Sequence, residues 1–93
     1  MSKFTTRMVL HDADWDNYND LHTYMDQEGF ADEITSSDGT TYKLPDAEYD
    51  ISGNFDLDAV LTKAKRAAKK TGKDYKVFVT KSAGRKWVGL DKA

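Results

Sequence analysis

The fold is decided by one stretch of the sequence, residues 56–70, which reads DLDAVLTKAKRAAKK. Its apolar residues recur three and four positions apart, which places their side chains on one face of an α-helix. They are Leu57, Val60, Leu61, Ala64 and Ala68. Asn54 or Asp56 can cap the first turn, and Gly72 can end the helix. Because the apolar stripe is narrow and ends in alanine, we predict that this helix lies close against a β-sheet.

The remaining residues predict a second helix and a set of strands. Apolar and polar residues alternate in several short runs, whereas Trp15 to Glu28 repeats at helical spacing. In chain order we predict a strand at 4–11, a helix at 15–28, a strand at 30–35, its return segment at 40–44, a strand at 47–51, the helix at 56–70, a strand at 75–81 and a short fifth strand at 85–90. Asp38-Gly39 suits the tight turn before the return segment.

This order predicts an α+β fold, a ferredoxin-like βαββαβ plait, for a single domain spanning 1–93. Strand–helix–strand connections are right-handed, so both helices fall on one face of a four-stranded antiparallel sheet. The opposite face then carries Val9 and Phe78, which are too apolar to remain in water. We therefore expect a homodimer that buries this face, with Val9 and Phe78 in the interface.

Composition excludes several classes of protein. The chain has no cysteine, so disulfides, thiolate catalysis and cysteine zinc sites are excluded. No apolar run approaches the ~20 residues that cross a bilayer. The first residues lack the apolar stretch of a secretory signal. We expect a cytoplasmic protein with no membrane partner.

Charge is divided unevenly along the chain, although the net charge is only −2. Between His11 and Asp58 there are 14 acidic residues and one base, Lys43. From Ala59 onward 11 bases face two acids. Such asymmetry is typical of a nucleic-acid surface, of an acidic patch for a partner, or of two halves that attract each other. Ordinary solvated helix faces would give the same pattern, so the sequence leaves these alternatives open.

The end of the first strand is a candidate catalytic site. Asp12 and Asp14 lie beside the start of a helix, and a symmetric dimer would double them. Such carboxylates, Asp12 foremost, would hold a hydrated Mg²⁺ that activates water or stabilises a pentavalent phosphate. His11 would serve as a general base near neutral pH. The alternative is that one aspartate caps the helix and that His11, like His22 on the helix flank, is structural.

The strongest nucleic-acid signal lies in residues 81–87, which we predict to form a basic hairpin. Its candidate RNA-binding residues are Lys81, Arg85, Lys86 and Trp87. The cations would contact phosphates, and the indole would stack on a base. Base stacking on the sheet face is not expected, because Glu48–Ser52 lacks the basic-glycine-aromatic pattern that such sheets use.

Three short segments carry a resemblance to a known family. They are Leu10–Asp14 (LHDAD), Glu28–Phe30 (EGF) and Leu44–Tyr49 (LPDAEY). With the length and element order of the whole chain, they resemble the GhoS-type endoribonuclease antitoxins of bacterial type V toxin-antitoxin systems. The resemblance implies a ferredoxin-like fold shared with small CRISPR-associated nucleases. It also implies a metal-binding aspartate at the dimer axis, a place that Asp12 or Asp14 matches.

Two functions are therefore expected from the sequence. The first is a GhoS-like antitoxin endoribonuclease that cleaves single-stranded toxin messenger RNA, gripped by the basic C-terminal hairpin, with no DNA ligand expected. The alternative is a non-enzymatic, dimeric regulatory module that binds protein or RNA.

Overall fold

The structure is a computed structural model that describes residues 2–93. Its elements in chain order are β1 (Ser2–Leu10), α1 (Trp15–Gln27), β2 (Glu33–Thr35), β3 (Thr41–Lys43), β4 (Glu48–Gly53), α2 (Leu57–Lys69) and β5 (Tyr75–Lys81). Both predicted helices are present, and each begins one residue after an aspartate. No helix within this part of the chain has the length and apolar character needed to cross a membrane.

The main sheet is built around β1, which pairs antiparallel with β4 on one edge and with β5 on the other. Thr6, for example, stands opposite Tyr49 of β4 and opposite Val79 of β5. The strand order β4-β1-β5 fits part of the predicted plait. The protein is thus a small α+β fold with a mainly antiparallel sheet.

The prediction of a four-stranded sheet is wrong. β2 and β3 form a separate two-stranded sheet, and a single bridge connects this region to β4. In that bridge the N–H of Ala31 donates to the carbonyl of Asp50 (2.8 Å), and the N–H of Asp50 donates back (2.7 Å). Between β3 and β4 lie Pro45, which has no N–H, and Ala47, in the left-handed region with φ 65°, so the chain does not run on from β3 into β4 as one extended strand. The β2–β3 hairpin therefore forms a separate two-stranded ladder beside the main sheet.

The predicted fifth strand at 85–90 is also wrong, because these residues are irregular. Residues 81–87 accordingly do not form the expected hairpin. The chain returns to regular pairing only at its end, where a bridge joins Lys92 to Tyr42 of β3. There the N–H of Lys43 donates to the carbonyl of Asp91 (2.8 Å). The C-terminal segment is therefore anchored to the small sheet.

Both helices bury their apolar side chains in the same core as the inward face of β1. Phe4, Thr6 and Met8 of β1 are fully buried, whereas the alternate residues Arg7 and Val9 are exposed on the other face of the sheet. The helical residues of this core are Leu21, Met25, Val60, Ala64, Ala67 and Ala68. The alanines of α2 let its backbone approach the sheet closely, as the narrow stripe in the sequence predicts.

Aspartate side chains start both helices. Asp14 accepts a hydrogen bond from the N–H of Asn17 (3.0 Å), and the Asn17 side chain accepts from the N–H of Asp14, which makes a capping box. Asp56 accepts from the N–H of Ala59 (2.7 Å). Capping, the structural alternative for the aspartate pair, is therefore the observed role of Asp14.

Tyr18 closes the edge of β1 where β4 no longer reaches it. The ladder to β4 ends near Arg7, so the backbone of Leu10 has no strand partner on that side. The Tyr18 hydroxyl accepts from the N–H of Leu10 (3.0 Å) and donates to its carbonyl (3.3 Å). One side chain thus replaces the missing strand at this residue.

We predict that Tyr18→Phe lowers the free energy of unfolding by about 1–3 kcal/mol, because it leaves both backbone groups of Leu10 unpaired. Urea denaturation of the purified variant measures this change. Tyr24→Phe is the matched control, since it removes the same hydroxyl from another partly buried tyrosine of α1 that packs against the core. Equal losses in the two variants would contradict the assigned role of Tyr18.

Candidate nucleic-acid interface

A cleft of about 880 Å³ lies between the turn of the β2–β3 hairpin and the segment 81–87. Lys3, Lys81 and Lys86 line it, and all three side chains are exposed. Tyr42 and Trp87 supply aromatic surface in the same cleft. The structure therefore brings all four predicted RNA-binding residues, Lys81, Arg85, Lys86 and Trp87, to one cavity.

The C-terminal segment is held over this cleft at successive points. The N–H of Ser82 donates to the carbonyl of Lys3 (2.8 Å), which extends the β1–β5 pairing by one residue. Further along, the Trp87 ring meets the Tyr42 ring edge to face, with centroids 5.7 Å apart and planes at 65°. These contacts order a segment that has no regular secondary structure of its own.

Arg85 lines the same cleft, but unlike the three lysines it is paired with a carboxylate. Its guanidinium forms an ion pair with Asp50 of β4, and the two side chains are only 22% and 18% exposed. Asp50 thus neutralises the charge that was expected to contact phosphate. Arg85 joins the C-terminal segment to the sheet, and its loss would leave a half-buried carboxylate without its partner.

Asp38 is the acidic group on the opposite wall of the cleft. The Ser36 hydroxyl and then the N–H of Thr40 (2.9 Å) hydrogen-bond to its carboxylate, and these bonds lower the pKa of Asp38 below its ordinary value. Asp38 is therefore negatively charged at neutral pH. The charges of Arg85 and Asp50 cancel each other. The three lysines and Asp38 then leave the cleft with a net positive charge.

The predicted catalytic residues lie at the other end of β1. His11 and Asp12 contact each other, with Nε2 and Oδ2 3.3 Å apart, and both side chains are largely exposed. Asp14 is occupied in the cap of α1. Among residues 2–93 no group of three or more His, Cys, Asp or Glu side chains is arranged to hold a metal ion.

The two sets of predicted site residues are far apart within one subunit. Lys81 pairs with Phe4 near the start of β1, whereas Tyr75 pairs with Leu10 at its end. At ~3.3 Å per strand residue, Lys3 and His11 are separated by roughly 26 Å. The cleft and the His11–Asp12 pair are therefore two separate places, and one short RNA segment would not touch both.

Val9 and Phe78 lie on the sheet face that the helices leave bare. They are 42% and 71% exposed, so neither is buried by the described chain. Between Phe78 and β4 is a shallow hollow of about 430 Å³ lined by Arg7, Glu48 and Phe78. The structure thus exposes the two apolar side chains from which the dimer was predicted. The dimer itself stays a prediction.

Sequence reasoning missed a polar cluster that joins α1, β4 and the segment before β2. The Nδ1 atom of His22 is 3.2 Å from the Tyr49 hydroxyl, and its Nε2 atom is 2.9 Å from a carboxylate oxygen of Asp32. Alternation in β4 marks Tyr49 as inward-facing, but only the bridge at Ala31 brings Asp32 beside the helix. Tyr42 and Lys3 of the cleft were missed for the same reason, because they are distant in sequence from 81–87.

We predict a specific loss of stability at high pH that originates at Tyr49. Burial, and then the charge of Asp32, raise the pKa of Tyr49 from 10.0 to about 12. The unfolded chain ionises this phenol near pH 10, so its contribution to folding is intact below that pH. It falls as the pH rises towards 12, by about 2–3 kcal/mol at ~1.4 kcal/mol per pKa unit.

Urea unfolding of the wild type and of Tyr49→Phe across this pH range measures the effect. The two proteins differ only in the Tyr49 hydroxyl, so the wild type should lose more stability than the variant between pH 10 and 12. An equal loss of unfolding free energy in the two proteins would show that the Tyr49 phenol is not buried as described.

Comparison with known proteins does not name a family: no protein-family model matches the chain, and no curated protein matches it significantly. The resemblance to GhoS-type antitoxins accordingly remains a prediction made from the residues.

Proposed function

We propose that this chain is an RNA-binding module that holds single-stranded RNA in the cleft beside residues 81–87. The observation that carries the proposal is the meeting of Lys3, Lys81 and Lys86 with two aromatic rings in one open cavity. Lysines attract the phosphate backbone, and aromatic rings accept stacked bases at about 1–3 kcal/mol each. A duplex hides its base faces, so this combination favours a single strand.

Hydroxyl groups in the same cleft favour RNA over DNA. Ser37 and Ser82 line its walls. A serine hydroxyl both donates and accepts hydrogen bonds, and the ribose 2′-OH is the group by which proteins distinguish RNA. This chemistry supports RNA as the ligand that the sequence already predicts.

The fold adds support at a coarser level. We infer a reduced ferredoxin-like plait, in which β5, β1 and β4 keep the expected order and the single bridge at Ala31 stands in place of the fourth strand. A second copy packed on the bare face at Val9 and Phe78 would bury both side chains. Such a homodimer would present two RNA clefts.

Cleavage of toxin messenger RNA, as in the GhoS type, is the second candidate. The contact between His11 and Asp12 favours it, because a carboxylate orients an imidazole that takes a proton from a ribose hydroxyl. An RNA strand long enough to follow β1 would extend from the cleft to this pair. RNA binding does not depend on this step, and the two can be tested together.

We predict that labelled single-stranded RNA binds with an affinity that falls steeply between about 50 and 200 mM salt. The double variant Lys81→Ala/Lys86→Ala should bind at least tenfold more weakly and reduce the salt slope by about 1.4, at ~0.7 per lost phosphate contact. Fluorescence anisotropy measures both quantities. The matched control is Lys65→Ala/Lys69→Ala, which removes the same charge from exposed positions of α2.

Absence of binding at about 50 mM salt would contradict the proposal, as would an equal loss of affinity in the control. The same samples, separated on a denaturing gel, test cleavage. His11→Gln should keep the affinity and lose cleavage if the second candidate is right. Cleavage that persists unchanged in His11→Gln would remove His11 from the mechanism.

A further inference from the structure

A second cavity, a groove of about 620 Å³, lies beside the end of β1 that is far from the RNA cleft. It forms where the ladder to β4 stops at the Arg7–Glu48 pair while β1 continues to Leu10. Helix α1 forms one wall, and the loop between β3 and β4 forms the other. Met8, fully buried, and Tyr49, 4% exposed, make its floor.

Apolar side chains are exposed along this groove. Trp15 stands at its edge with 72% of its surface exposed, although tryptophan is usually well buried. Leu44, Pro45 and Ala47 continue the apolar lining on the opposite wall. A large ring beside an apolar groove is a typical anchor of a protein–protein interface.

The rim of this groove is acidic. Asp14, Asp32, Asp46 and Glu48 line it, against Arg7 as the one cation. The formal balance is three negative charges with His22 neutral. RNA would be repelled here, whereas a segment that carries Lys or Arg beside an apolar side chain would match both charge and surface.

The backbone edge at this groove is already occupied. The Tyr18 hydroxyl pairs with the N–H and the carbonyl of Leu10, so an incoming strand cannot add to β1 at that residue. An occupant must therefore bind through its side chains, against Trp15 and the apolar walls.

We propose that this groove docks a cationic, apolar peptide segment of another protein. The apolar side chain of the segment packs between Trp15 and Pro45, and its basic residues pair with Asp46 and Glu48 at the rim. This inference does not depend on RNA binding, because it uses a different end of β1 and the opposite charge.

The two tryptophans of the chain, Trp15 and Trp87, provide separate reporters for the test. Their indole N–H signals in a ¹H–¹⁵N spectrum follow the groove and the RNA cleft respectively. The probe is a capped synthetic peptide, Lys-Arg-Leu-Phe-Lys-Arg, titrated into the full chain. We expect the Trp15 signal to move and the Trp87 signal to stay.

Matched variants test the rim. Asp46→Asn/Glu48→Gln should weaken binding of the peptide about tenfold, whereas Asp16→Asn/Asp20→Asn, exposed acids of α1 outside the groove, should change it less than twofold. Trp15→Ala should weaken binding as well, read from backbone amides. Dispersed spectra of each variant establish that it is folded.

Three results would overturn the proposal. The first is equal movement of the two indole signals, and the second is equal binding of the charge-reversed peptide Glu-Asp-Leu-Phe-Glu-Asp. The third is movement of the Trp15 signal on dilution without peptide, which would assign the groove to a second copy. Failure of RNA binding would leave the Trp87 signal unmoved on addition of RNA and would not affect the peptide titration, so the two proposals fail separately.

Discussion

The structure depends on β1 being hydrogen-bonded along both of its edges. β4 and β5 pair with it in antiparallel register, and the Tyr18 hydroxyl completes the β4 side at Leu10. Inward residues of the strand, led by Phe4 and Met8, form the floor on which both helices pack. Because β4 and β5 pair with this strand and both helices share its core, β1 determines which surfaces lie together and which lie apart; the β2–β3 hairpin is joined to it only through β4.

One consequence is that opposite charges gather at opposite ends of the strand. The lysines of the basic cleft lie near Phe4, because β5 ends at Lys81 beside it. The acidic groove lies near Leu10, where the start of α1 meets the β3–β4 loop. The uneven charge of the sequence therefore appears in the fold as a basic cleft at one end of β1 and an acidic groove at the other.

Both helices and most strands were predictable, because each is encoded by adjacent residues; the strand predicted at 85–90 is the exception. The apolar stripe in 56–70 appears as α2 and the β-prone run at 75–81 as β5, and the aspartate caps follow from neighbouring residues. Contacts made over long distances in the chain were not predictable. Three such contacts each join an irregular segment to a strand, and no local pattern specifies where the irregular segment lies. They are the Ala31 bridge to Asp50, the Arg85–Asp50 ion pair and the contact of Trp87 with Tyr42.

Native-state amide hydrogen exchange followed by NMR tests the central role of β1 most directly. The amides of Thr5 to Val9 should be among the slowest in the protein, and the Leu10 amide should be protected although no strand faces it on the β4 side. Exchange of the Leu10 amide as fast as that of the irregular residues 85–90, or slower exchange in β3 than in β1, would contradict this account.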